Sequence, residues 1–203
     1  PFAMSTTSFK PVAAEPVNEE NGLIHGVSAQ ELQVIGEQCI DAKTKAYCML
    51  CLNPGRHIAP SLTRLTGPYS LFRVGASLLL NQSTSSEPSI IVGAHVENAA
   101  YPVGTCAERV AFGTAVVQGH KLGSFKAVGV ATDIDDFCSP CGMCRQFLRE
   151  FLNLETPIFM FNKEGKYIVR TMGELLPLSF GPDVLPPREQ LKKEREGDVT
   201  KAA

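Results

Sequence analysis

Three cysteines in two short strings constrain this chain more than any other feature. Thr105-Cys106-Ala107-Glu108-Arg109 and, about thirty residues on, Ser139-Pro140-Cys141-Gly142-Met143-Cys144-Arg145 carry thiols at metal-ligand spacing, with one carboxylate beside them. Each string reads as a helix start, so the fold has to bring two helix starts together. In the first turn of a helix, Cys141-x-x-Cys144 points both sulfurs to one side, and Cys106 supplies the third. Backbone N–H groups and the helix dipoles favour ionised thiols at both starts. Three thiolates leave a tetrahedral zinc one open position for water, which separates a reactive metal site from a structural one. With a divalent ion they sum to one net negative charge. Arg109 is placed to donate hydrogen bonds to the sulfurs and offset it.

The chain has 203 residues, 44% of them hydrophobic, enough for one compact domain with tails. Pro1-Phe2-Ala3, ahead of Met4, reads as a tag remnant, and the rest of residues 1–27 as a flexible polar arm. The domain is expected over residues 28–185, and a charged tail over 186–203. Ser28-Ala29-Gln30-Glu31 is a capping box that opens a helix with Leu32, Ile35, Cys39, Ala42 and Ala46 at helical spacing. Strands are expected at Phe72–Leu80 and Ile90–His95, paired as a hairpin around Asn81–Pro88. A helix from Thr105 to about Gly119 and a buried strand at Phe125–Thr132 follow. The next helix takes Pro140 as its first residue and runs to about Leu152. Two strands, Pro157–Asn162 and Tyr167–Arg170, lead to a short helix opened by the capping box Thr171-Met172-Gly173-Glu174 and ending at Pro177. The order α-β-β-α-β-α-β-β-α implies one mixed sheet between helices.

The formal charge of −2, with Lys and Arg scattered, disfavours a polynucleotide substrate. No apolar run is long enough to span a membrane, and no signal-peptide pattern opens the chain. Seven cysteines, an odd number, give no disulfide framework, and thiolate ligands suit a reducing cytoplasm.

The pattern Cys-x-Glu followed by Pro-Cys-x-x-Cys is that of the zinc-dependent nucleobase deaminases, in which the Glu is an acid/base and not a ligand. Together with Pro68-Tyr69-Ser70-Leu71-Phe72-Arg73-Val74-Gly75-Ala76, Val96-Glu97-Asn98-Ala99-Ala100-Tyr101-Pro102 and Glu174-Leu175-Leu176-Pro177-Leu178-Ser179-Phe180-Gly181-Pro182, it makes the chain resemble the small homotetrameric cytidine deaminases of pyrimidine salvage. The resemblance covers about residues 28–47 and 68–185. It implies a three-layer α/β/α sandwich with a five-stranded mixed sheet. It implies hydrolysis of cytidine and deoxycytidine to uridine and deoxyuridine by a zinc-activated water. Cys106, Cys141 and Cys144 would hold one zinc per subunit, and Glu108 would shuttle protons. Glu97 and His95 would bind the ribose 3′-hydroxyl, Phe72 would pack on the pyrimidine, and Ala107 would contact substrate. Tyr101 would lie near the 5′-hydroxyl across an interface, and Phe180 would reach in from a neighbouring subunit. The expected partner is a nucleoside, not nucleic acid or a membrane.

Two departures from the family pattern stand out. Position 95 is usually Asn and here is His, as in the blasticidin-type deaminases, so a modified cytosine nucleoside is the alternative substrate. Nineteen residues, Met49–Gly67, are inserted before the strand bearing Phe72, and read either as a lid or as a segment with no role. Other readings carry less weight. Thr105-x-x-Glu108 also fits a capping box. His95-Val96-Glu97 mimics a ligand-and-base pair, but no helix start follows it. Cys48, Cys51 and His57 lack a second ligand pair at finger-like spacing. A zinc-binding paralogue without catalysis would have no need of Glu108 beyond capping.

Overall fold

The computed structural model describes residues 10–11, 19–20, 22–47, 70, 72–81 and 88–186. In chain order the elements are β1 (Lys10–Pro11), β2 (Glu19–Glu20), β3 (Leu23–Ile24), α1 (Ala29–Lys43), β4 (Val74–Leu80), β5 (Ile90–Ala94), α2 (Ala107–Val117), β6 (Phe125–Thr132), α3 (Gly142–Arg149), β7 (Pro157–Phe161), β8 (Lys166–Thr171) and α4 (Met172–Leu175). Short 3₁₀ turns cover Tyr101–Val103 and Pro182–Val184. The insertion, with Cys48, Cys51 and His57, lies outside the described residues, as do most of the hairpin turn and the tail beyond residue 186. Among the described residues no helix is long and apolar enough to cross a membrane.

The five expected strands form one mixed sheet, β8-β7-β6-β4-β5, and Lys10–Pro11 from the N-terminal arm add a short sixth strand beside β8. β6 and β7 run parallel, joined by the crossover through α3, while β4–β5, β4–β6 and β7–β8 are antiparallel. Both faces of the sheet are covered, so its central strands read as unbroken apolar runs. Alternation still sorts them. Val128, Val130, Ile158 and Met160 face α2 and α3, whereas Ala127, Ala131, Phe159 and Phe161 face α1. This is the three-layer α/β/α sandwich.

The capping boxes at Ser28 and Thr171 both form, each hydroxyl accepting from the N3 amide while the N3 Glu accepts from the cap amide. Thr105 and Pro140 take other places than the sequence suggests. The caps of α2 and α3 are Cys106 and Cys141, so Thr105 precedes the cap and Pro140 stands two residues before the helix. The ligand cysteines need extended backbone to turn their thiols off the helix ends, and the cap is where a helix allows that.

Two glycines let the helices lie close on the sheet. A Cβ on Gly75 would stand 2.1 Å from the Cys39 carbonyl oxygen of α1, and one on Gly93 2.4 Å from the Ala107 oxygen and the Ala111 nitrogen of α2. An ion-pair cluster fixes the start of β4. Arg73 donates to both Asp133 oxygens at 2.6 and 3.0 Å, and Lys43 Nζ lies 2.9 Å from Asp133 Oδ1 while donating to the Thr132 carbonyl at 3.0 Å.

Gly93→Ala should destabilise the fold by about 1–3 kcal/mol, because backbone on α2 has to move. Gly113→Ala, which meets open space on the same helix, should be neutral or stabilising in the same thermal melts. The Lys43 and Arg73 contacts outweigh burial and hold the Asp133 carboxyl below its ordinary range. A lowered native pKa gives stability that is present above the unfolded value and is lost as pH falls through the native one. Melting temperatures of the wild type and Asp133→Asn should therefore differ at neutral pH and converge only as pH falls below about 4, the unfolded carboxylate value.

Candidate metal centre and active site

The N-caps of α2 and α3 meet at one end of the sheet. Cys106 and Cys141 have near-identical extended backbones (φ −65°, ψ 151° and φ −64°, ψ 163°), and neither cap is closed by a side-chain hydrogen bond. Both thiols are left to face each other. The sulfurs of Cys106, Cys141 and Cys144 lie within 4.8 Å of one another, with Cys106 and Cys141 at 4.0 Å. Thiolates at about 2.3 Å from a tetrahedral zinc stand roughly 3.8 Å apart, so the triad fits the ion with small adjustments.

A hydrogen bond from the Cys144 thiol, aided by those from Arg109 and Cys141, brings Cys106 down to about 5, while the same pairing pushes Cys144 up. One thiol thus ionises easily and the cluster is ready for a cation that ionises the others. Arg109 Nη2 is 3.9 Å from the Cys106 sulfur and 3.4 Å from the Gly104 carbonyl oxygen, the position expected of a charge-offsetting donor.

Glu108, in the first turn of α2, is 3% exposed. It makes no capping box, since the cap is Cys106 and not Thr105. Burial, with the Cys106 thiolate nearby, raises its carboxyl above the ordinary range. It opens onto a cavity of about 510 Å³ that also contains Cys106 and Cys141 in its walls. Phe72, Val74, Val96, Val130 and Tyr101 make much of the remaining wall apolar, with His95, Glu97 and Thr132 as its polar points. Among the described residues no Lys or Arg lines it.

His95 is 9% exposed. Its Nδ1 accepts the Val74 N–H at 3.0 Å across the β4–β5 pair, which puts the ring proton on Nε2. Nε2 stands 3.6 Å from Glu97 Oε1 and has no hydrogen-bond partner, and Thr132 Oγ1 is equally unpartnered. Buried polar atoms without partners are uncommon, and both of these residues line the cavity.

Most of the expected site residues therefore converge, and two do not. Ala107 is fully buried under α2 and outside the cavity wall. Phe180 is 62% exposed and also absent from the wall, its carbonyl held by Gln146 Nε2 at 2.9 Å. Tyr101, at 71% exposure, stands at the cavity edge. Two contributors have no expected role. Ser70 Oγ donates to Glu97 Oε1 and accepts the Phe72 N–H at 3.1 Å, an arrangement that a Ser two residues before Phe72 could have signalled. Arg145 holds the loop before Cys141 through the Pro140 carbonyl at 2.7 Å and Ser139 Oγ at 2.6 Å, and nothing in the sequence but its place in the cysteine string marks it. Cys138 also lines the cavity, with a thiol that burial keeps protonated.

Comparison with known proteins agrees with this geometry. Residues 56–160 match the family described as the cytidine and deoxycytidylate deaminase zinc-binding region. A cytidine deaminase of Sporosarcina psychrophila is 42% identical over 118 residues, 58% of this chain and 82% of that protein. A probable cytidine deaminase of Dictyostelium discoideum is 40% identical over 129 residues, 63% and 82% of the two chains. Among solved structures, the cytidine deaminase from Burkholderia pseudomallei superposes with a TM-score of 0.59 at 31% identity, covering 73% of this chain and 98% of that one. The enzyme from Mycobacterium tuberculosis gives 0.51 at 26%, covering 73% and 96%. The converging thiols, the buried carboxylate and the sandwich that holds them are those of a lineage, and this chain belongs to the cytidine deaminase family.

Proposed function

We propose that this protein hydrolyses cytidine and deoxycytidine to uridine and deoxyuridine, releasing ammonia. The observation that carries the reading is a buried carboxylate, Glu108, beside three converging thiols at the end of a cavity with no cationic residue among those described. A nucleotide substrate would call for Lys or Arg at its phosphate. An uncharged nucleoside does not.

Cys106, Cys141 and Cys144 would hold a zinc ion, which would supply an activated water at neutral pH. Glu108 would take up a proton and hold it at N3 of the cytosine ring, which makes C4 electrophilic to attack by water. It then carries a proton to the departing amino group. Phe72 packs on the pyrimidine. A ribose 3′-hydroxyl between His95 and Glu97 accepts from Nε2–H and donates to the carboxylate, which gives the unpartnered Nε2 its hydrogen bond. Ser70 steadies Glu97. Phe180 and Tyr101, exposed on a single chain, act across a subunit interface in a homotetramer of shared sites. The thiolate ligands suit the cytoplasm.

Glu108→Gln should keep its zinc and lose at least about 10²-fold in rate, whereas Cys144→Ala should lose both. Metal content by mass spectrometry and an ultraviolet assay with cytidine, deoxycytidine, deoxycytidine monophosphate and blasticidin S read the two together. A fully active Glu108→Gln enzyme would overturn the acid/base role. Turnover of blasticidin S alone would make His95 the specificity residue.

A further inference from the structure

The segment after α4 departs from the domain in an unusual way. Leu178 has φ +53° with a β-carbon, a strained setting, and is completely exposed. Phe180 also stands out from its own chain, away from the cavity wall. An exposed apolar pair on strained backbone would fold back or fray unless something held it.

What holds it is α3. Arg149 is 4% exposed although it carries a full charge. Its Nε donates to Ser179 Oγ at 3.0 Å, Nη1 to the Leu152 carbonyl at 3.5 Å, and Nη2 to Asp183 Oδ1. Its guanidinium lies flat on Gly181. A Cβ there would stand 2.4 Å from Cζ and 2.6 and 2.7 Å from the two terminal nitrogens. The backbone of Gly181 is extended (φ −144°, ψ 176°), so the glycine is needed for space and not for conformation. One turn earlier on the helix, Gln146 holds the Phe180 carbonyl. The two residues flanking Phe180 are thus pinned to α3, its own carbonyl is tied, and only its ring is left to solvent. None of these Arg149 partners lines the cavity.

We propose that Arg149, lying flat against Gly181, is a positioning residue for the reaction: it sets the course of Ser179–Asp183 so that Phe180 is presented to the cavity of a second copy of this chain. The proposal rests on the reading that active sites are shared between subunits. The second copy is favoured by the cavity itself, whose apolar wall holds Phe72 and Tyr101 but lacks the chain's own Phe180. The same helix that places Cys141 and Cys144 for one site would place an aromatic ring for the next.

The test is complementation between differently tagged protomers, co-expressed and isolated as hybrids through both tags. Arg149→Met alone should lose about tenfold in kcat/KM, the scale of one aromatic contact, while keeping its zinc. Paired with Glu108→Gln, whose arm is intact, the hybrid should be more active than the sum of the two parents. Sound arms would then serve sound pockets, whereas a merely structural defect in the Arg149→Met subunit would not be repaired. Gly181→Ala, which forces the guanidinium aside without removing it, should behave the same way and carries the test if Arg149→Met does not fold. Phe180→Ala with Glu108→Gln separates the two readings. If that pair complements and neither the Arg149 nor the Gly181 variant does, the positioning role is overturned. If the Phe180→Ala pair forms no hybrid or gives no gain, the shared-site reading falls, and this proposal with it.

Discussion

Two helix N-termini that face one another across a few ångströms would repel if nothing lay between them. Each carries unsatisfied N–H groups and the positive end of a dipole, and here neither is capped by a hydroxyl or a carboxylate. Three sulfurs fill the space between them. Once ionised, the thiols neutralise both helix ends, and a divalent cation neutralises most of the thiolates' charge. The metal site and the junction of α2 with α3 are therefore one electrostatic unit. Removing the thiols would leave two helix ends without their neutralising charge as well as release the ion.

That junction depends on how closely the helices lie on the sheet. Gly93 lets α2 lie against β5, and Gly75 does the same for α1 on β4. Arg73, Lys43 and Asp133 then fix where β4 begins, next to Phe72. The floor of the cavity is made by strand ends, its metal end by helix starts, and a further polar side by the His95–Glu97 stretch beyond β5. Burial on both faces of the sheet makes these placements rigid, because no strand can slip by one residue without exchanging its two apolar faces.

Much of this was legible in the chain. Phe125–Thr132 is the strand the sequence predicts to the residue, because a two-sided buried strand shows as an unbroken run of small and β-branched residues. The Ser28 and Thr171 boxes are legible for the same local reason, each being contained in four residues. The cysteines and Glu108 announce themselves by spacing. What was hidden is long-range or runs against local preference. Cys106 and Cys141 are the caps where the sequence suggests helix starts at Thr105 and Pro140, because thiols that converge on one point need the extended backbone of a cap. The proton on His95 is decided by Val74, and the bond from Ser70 to Glu97 joins residues 27 positions apart. The short strand at Lys10–Pro11 has no periodicity to read.

The arrangement of α3 supports the proposal of a shared site in mechanical terms. Its first turn carries two ligands, Arg145 ties it to the loop before them and to the Leu175 carbonyl, and Arg149 ties its end to the segment bearing Phe180. Eight residues thus link the metal of one cavity to the aromatic ring that leaves the chain. A ring delivered on a free tail would lose conformational entropy each time it docked. Delivered from a clamped arm, that entropy is lost once, on folding. On the proposed reading of shared sites, the strain at Leu178 follows from this clamp, which would hold the backbone in place before a second copy docks.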